Sequence, residues 1–139
     1  MNIIRIGIDL AKNVFQLHGV NDKEETVLKK KLKRHQFLHY LLTKVNTSCI
    51  IAMEACSGSN HWGRELESAG FTVRIIPAQY VKPYVKRNKN DANEANDAEA
   101  ICEAGSRSNI HWVSVKTIEQ QDMQAIHCAR SELNAKLEG

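Results

Sequence analysis

The chain has 139 residues, 42% hydrophobic and 25% charged, with a formal net charge of +3 and four cysteines. That is one domain's length, with apolar content enough for a real core. No apolar run approaches a membrane span and no signal-peptide pattern opens the chain, so a cytoplasmic protein with no membrane partner is expected.

Near the start, Ile4, Ile6 and Ile8 alternate with Arg5, Gly7 and Asp9, the period of a half-buried strand. A second apolar run, residues 14–20, begins after only Lys12-Asn13, so the two predict a tight antiparallel hairpin. Asp9 ends the first strand against strand propensity. Its carboxylate is either solvated at a turn or aimed at something positive. Asn21-Asp22-Lys23-Glu24 is a turn, and residues 25–33 predict a third strand whose lysines suit a sheet edge. Phe37, Leu38, Leu41, Leu42 and Val45 give residues 34–45 an amphipathic helical period.

The short apolar run Cys49-Ile50-Ile51-Ala52-Met53 predicts a central parallel strand and stops at Glu54. A small-residue loop with a ready N-cap follows, then a short helix lined by Trp62, Leu66 and Ala69 and closed by Gly70. Residues 71–76 predict another strand, stopped by Pro77; a basic loop and a helix over about 91–105 come next. A last helix starts at the capping box Thr117-Ile118-Glu119-Gln120 and carries an apolar seam to Leu137. The order is that of an α/β layered domain with a mixed sheet. The cysteines are scattered without a Cys-x-x-Cys pair and predict reduced, mostly buried thiols; His35 and His39 predict surface positions, not a zinc site.

Charge is unevenly spread. Lys29, Lys30, Lys31, Lys33 and Arg34 form one basic cluster, and Lys82, Lys86, Arg87 and Lys89, interleaved with Tyr80 and Tyr84, form another. From residue 90 to 106 there are then five acids and no base. Such clusters are either solvated faces or a path for a phosphate backbone led toward a metal. Asp9 and Glu54 each end an apolar strand, where open sheets gather ligands. On neighbouring strands ~4.8 Å apart, two carboxylates suit divalent ions ~3.5–4 Å apart in a phosphoryl-transfer site. Hard oxygen ligands select Mg²⁺ or Mn²⁺ over zinc. Asp91, Glu94 and Asp97 follow at three-residue spacing. They are either helix N-terminal acids favoured by the macrodipole or further ligands.

With those residues located, the chain resembles the N-terminal catalytic domain of the DEDD insertion-sequence transposases, also known as bridge-RNA-guided recombinases. The matching stretches are Gly7-Ile8-Asp9-Leu10-Ala11-Lys12, Ala52-Met53-Glu54-Ala55-Cys56-Ser57-Gly58, Lys89-Asn90-Asp91 and Asp97-Ala98-Glu99-Ala100-Ile101. Residues 115–122 resemble that family's entry into its coiled coil. The resemblance implies an α/β, ribonuclease H-like (RuvC-like) mixed sheet flanked by helices, with a C-terminal helical arm. It divides the chain into a metal-binding domain, residues 1–112, and the start of the arm, 113–139.

It also implies DNA transposition, with four acids holding metal at a DNA-cleaving site, a serine supplied by a separate C-terminal domain, and a guide-type noncoding RNA as partner. By motif, Asp9 is the first acid, Glu54 the second and Asp97 the fourth. The third is Asp91 by motif and Glu94 by spacing, because repeated Ala-Asn steps separate Asp91 from Asp97 by six residues where the family has three. On one continuous helix Asp91 and Asp97 would lie about 120° apart, and Glu94 and Asp97 about 60°. No serine domain is present in these residues, so the chain alone is expected not to complete recombination, and its last helix is expected to pair with a second copy. Two other readings stay open. One is an actin-like ATPase fragment, which would need glycine-rich phosphate loops that Ser57-Gly58-Ser59 barely resembles. The other is a non-catalytic module that binds nucleic acid through the basic clusters or dimerises with longer relatives.

Overall fold

The computed structural model describes residues 2–85, 93–107, 113 and 115, the side chains of residues 93–96 excepted. Strands β1 (Arg5–Leu10), β2 (Val14–Val20), β3 (Thr26–Lys33), β4 (Ile50–Glu54) and β5 (Thr72–Ile76) form one sheet in the order β3-β2-β1-β4-β5. The hairpin forms as expected: β1 and β2 are antiparallel, with Asp9 opposite Gln16. β3 is antiparallel to β2 and lies at the edge, where its lysines are exposed. β4 runs parallel to both β1 and β5, so the sheet is mixed.

Helices α1 (Arg34–Lys44) and α2 (Ser59–Ser68) cover one face. Ile6, Ile8, Phe15, Leu17, Ile51 and Met53 point into that core against Phe37, Leu41 and Leu66. Phe15, Phe37 and Trp62 meet edge to face, with centroids 4.9–5.3 Å apart, the arrangement ring quadrupoles favour. The apolar stripe of α1 is narrower than its sequence suggests: Phe37 and Leu41 are buried, whereas Leu42 is 52% exposed. At the start of α2 the N-cap is Gly58, without a side-chain cap. The Ser59 hydroxyl is buried and instead donates to the Cys56 carbonyl at 2.9 Å. Gly70, at φ 103°, ends the helix as expected.

The basic stretch after Pro77 is not a plain loop. It forms a helical turn, α3 (Ala78–Val81), and a 3-10 turn, Lys82–Tyr84. The reason is tertiary. Val81 is buried with Ile76 and Ile101, and Tyr80, Tyr84 and Val85 pack on that cluster, so the tyrosines are packing groups. The Arg107 guanidinium lies 5.2 Å from the Tyr84 ring centroid. Cys49 and Cys102 are buried free thiols and Cys56 is an exposed one; burial, foremost, pushes the Cys49 thiol up to about 12. Cys128, the expected last helix, and Lys86, Arg87, Lys89 and Asp91 lie outside the described residues. Val113 and Val115, at the expected start of the arm, meet the domain: the Val113 amide donates to the Ile75 carbonyl at 2.7 Å, and Val115 packs beside Gly63 of α2.

Helix α4 (Asn93–Ala104) covers the opposite face and crosses β1 at Gly7. Two arginines from the sheet hold its C-terminal end. Arg5 Nε donates to the Cys102 carbonyl at 2.7 Å, and an Arg74 guanidinium nitrogen donates to the Gly105 carbonyl at 2.6 Å. Cations belong at that end of a helix, where carbonyls are left without intrahelical partners. Arg5, with a side chain 6% exposed, also pairs with both Glu24 oxygens, at 3.2 and 2.5 Å. Arg5→Ala is therefore expected to cost about 2 kcal/mol in urea unfolding, through a charge-assisted hydrogen bond lost from a buried carbonyl. Glu24→Ala should cost less, because Glu24 is 52% exposed.

Candidate metal and nucleic-acid site

The two strand-end acids arrive together because of register. Ile8 pairs with Met53 in the parallel β1–β4 ladder, so Asp9, next to last in β1, and Glu54, last in β4, lie one step on at the same level. Alternation puts Ile8 and Met53 into the α1/α2 core, and Asp9 and Glu54 consequently stand on the face that carries α4. Both are partly buried.

The floor beneath them is made of small residues. Gly7 pairs with Ala52. A Cβ on Gly7 would lie 2.3 Å from the Ala98 carbonyl oxygen and 2.3 Å from the Cys102 nitrogen, and one on Gly105 would lie 2.8 Å from the Ala52 Cβ. The backbone of α4 thus rests on β1 with no side chain between. The arginines hold its far end at Arg5, and its acid-bearing half points to the carboxyl ends of the strands. Asp97, partly buried, comes close enough to act on Glu54 electrostatically.

That approach is visible in the Glu54 carboxyl, which is raised from its ordinary range by burial first and by Asp97 second, with Lys82 opposing. Exposed Lys82 is therefore the described member of the second basic cluster whose charge acts on Glu54. A carboxyl raised in the folded state favours the fold when protonated. That contribution is complete below the unfolded value of ~4.3 and is lost as pH rises through the raised one. At neutral pH ionised Glu54 works against the fold, so Glu54→Gln is expected to raise the Tm of the metal-free protein at pH 7. The gain, read by calorimetry, should be under about 1 kcal/mol because solvent screens a partly exposed group, and it should vanish by pH 4.

The register also assembles a row that sequence reading missed. Lys31 pairs with Gln16, Gln16 with Asp9, and Glu54 with Ile76. Paired residues share a face, so Lys31, Gln16, Asp9 and Glu54 cross the sheet as a cation, an amide and two carboxylates. The signal was in the hairpin, since a turn centred on Lys12-Asn13 places Gln16 opposite Asp9. Among the described residues, no three His, Cys, Asp or Glu side chains form a group that could hold a metal ion. Glu94 lies on α4, but its side chain, like Asp91, is outside the described residues. Lys29, Lys30, Lys31, Lys33 and Arg34 are all exposed, and the Lys30 ammonium sits 4.7 Å from the Tyr40 ring centroid. No described helix is long and apolar enough to cross a membrane.

Comparison with known proteins gives this geometry a context. Residues 6–138 match the model of the IS110-type DEDD transposases, described as Transposase. The chain is 50% identical over 133 residues to a probable family 20 transposase of Pseudomonas aeruginosa, covering 96% of this chain and 38% of that protein. It is 43% identical over 128 residues to the transposase for insertion sequence element IS1111A of Coxiella burnetii, covering 92% of this chain and 34% of the relative. The chain thus spans about a third of the length of these relatives. Among solved structures it resembles Thermus thermophilus RuvC in complex with a Holliday junction substrate, at TM-score 0.53 and 12% identity, over 81% of this chain and all of that one. The likeness is of fold: the α/β, RuvC-like mixed sheet expected from the sequence is the one observed.

Proposed function

The chain belongs to the IS110-type DEDD transposase family, and from that premise we propose that it is the metal-holding part of a DNA-cleaving and strand-transferring site in DNA transposition. One observation carries the reading: Asp9, next to last in β1, and Glu54, last in β4, stand on one face of adjacent parallel strands, and Asp97 of α4 acts on Glu54 electrostatically. Like charges drawn together at a partly dry edge are costly unless a cation joins them.

The donor set is carboxylate oxygen, which suits Mg²⁺ or Mn²⁺. Asp9, Glu54 and Asp97 would hold it, with Asp91 or Glu94 as the remaining acid. A bound divalent ion neutralises charge developing on a scissile phosphate. The protein's own residues do the positioning: Gly7 and Ala52 set the height of α4, and Lys82 attracts a phosphate to the acid edge. A nucleophile from outside these residues, a guide RNA and pairing of copies through the expected last helix belong to the same proposal. Calorimetric titration of the chain with Mn²⁺, alone and with duplex DNA, tests it; saturable binding is expected, tighter with DNA because phosphate completes the shell.

A second reading is a nucleic-acid-binding module without catalysis. It is favoured by the lack of a three-ligand group among the described residues. DNA affinity with no metal binding in either titration would select it.

A further inference from the structure

We propose that a groove on the α1/α2 face, reaching the same end of β1 and β4 as Asp9 and Glu54, holds a segment of single-stranded DNA with a base against Trp62. Two clefts of about 650 and 490 Å³ adjoin there and share Arg34, His61 and Trp62. Lys33 and His35 line the first, and Lys12 the second; neither is lined by an acid. A third cleft of about 530 Å³ continues from His35 along the lysines of β3, again without an acid. The second cleft is lined by Leu10-Ala11, which follow Asp9, and by Cys56-Ser57-Gly58, which begin two residues after Glu54. A cationic track therefore runs from the β3 edge around the start of α1 to the strand ends.

Its chemistry selects the ligand. A polyanion explains the sign of the charge, and the first turns of α1 and α2 contain no acid to oppose it. Trp62 explains the form. One part of its ring is fixed edge to face against Phe15 and Phe37, while the rest, partly exposed, lines both clefts. A rigid, half-open indole among cations is a stacking platform for an unpaired base; bases within a duplex are already stacked. The choice of DNA rests on the catalytic-domain reading, because the track reaches the same end of β1 and β4 as the acids, which stand on the other face of the sheet.

The test is fluorescence anisotropy of the 139-residue chain with labelled dT20, rU20 and a 20-base-pair duplex at several salt concentrations. The triple variant Lys12→Gln, Arg34→Gln, His61→Gln removes exposed side chains, and circular dichroism checks its fold. It is expected to weaken dT20 binding at least tenfold and to lower the salt slope by ~1.4, or ~0.7 for each permanent cation removed. Lys23→Gln, in the β2–β3 turn, should change neither by more than the general loss of one charge. In a Trp112→Phe background, where Trp62 is the remaining tryptophan, dT20 should quench the emission. Equal affinity of the triple variant, absent quenching, tighter duplex binding or tighter rU20 binding would each overturn the proposal. Mn²⁺ titration separates it from the catalytic reading. Metal binding without dT20 binding removes the groove alone, and dT20 binding without metal removes the catalytic site alone.

Discussion

Gly7→Ala is expected to destabilise the domain by about 3–5 kcal/mol, and Gly7→Val to prevent folding. Overpacking usually costs ~1–3 kcal/mol because flexible side chains give way. Here the atoms in the way are backbone: the Ala98 oxygen and Cys102 nitrogen at 2.3 Å and the Cys102 Cα at 2.7 Å, where carbon contacts prefer ~3.5–4.0 Å. Relief requires lifting α4 bodily by about 1 Å or more. That would loosen Ile101, Ala100 and Ala104 from Ile76 and stretch the hydrogen bonds from Arg5 and Arg74, adding a cavity cost to the clash. Against a total stability of ~5–15 kcal/mol, the loss is severe. The urea midpoint should fall with little change in m. A lifted α4 also carries Asp97 away from Glu54, so the variant, where still folded, should bind Mn²⁺ more weakly. A change under about 1 kcal/mol would mean that α4 does not rest on Gly7.

Gly7 also marks the boundary of what the sequence displays. A glycine inside a strand pattern signals close approach of another backbone, yet nothing local says which one. The hairpin, the lysine-bearing edge strand and the buried parallel strand were readable because each pattern is local: alternation in the first strand, a lysine run in the edge strand and a short apolar run in the parallel one. The Asp9–Gln16 pairing was missed, although the centre of the hairpin at Lys12-Asn13 implies it. Residues 78–84 read as the start of a loop because, with Lys82, Pro83 and two tyrosines, they show no period, and what makes them helical is burial of Val81 against α4. Leu42 fits the helical period, but sheet geometry decides how wide a stripe of α1 is covered. At the site, Asp9 and Glu54 were legible as strand ends. The raised Glu54 carboxyl was not, because it arises from burial first and then from Asp97, more than forty residues away in sequence. The groove at Trp62 was equally hidden, since Lys12 comes from the β1–β2 turn, Arg34 from the start of α1 and His61 from α2.

Asp9→Ala and Glu54→Ala are each expected to reduce Mn²⁺ affinity at least ~100-fold. Removing a partner one shell out from a metal typically costs ~10–100-fold, and these two would be direct ligands. In a longer relative that contains this domain, DNA cleavage should fall ~10³-fold or more, because a phosphoryl-transfer site loses its main stabiliser of developing charge. Stability separates this from a folding defect. Ionised Glu54 works against the metal-free fold, so its removal should leave the domain folded and at least as stable at neutral pH while binding disappears. The pH dependence supplies an independent signature. Metal and proton compete for the same carboxylate, so wild-type affinity should rise with pH through a range set by Glu54, above that of an ordinary carboxyl. Glu54→Ala should erase that part of the profile, and Asp97→Asn should move it to lower pH, because Asp97 is one of the two causes that raise Glu54. The shift should be partial, since burial is the larger cause and stays in place. A site in which these carboxylates only decorate a helix start and a turn would show neither the coupled shift nor the loss of binding.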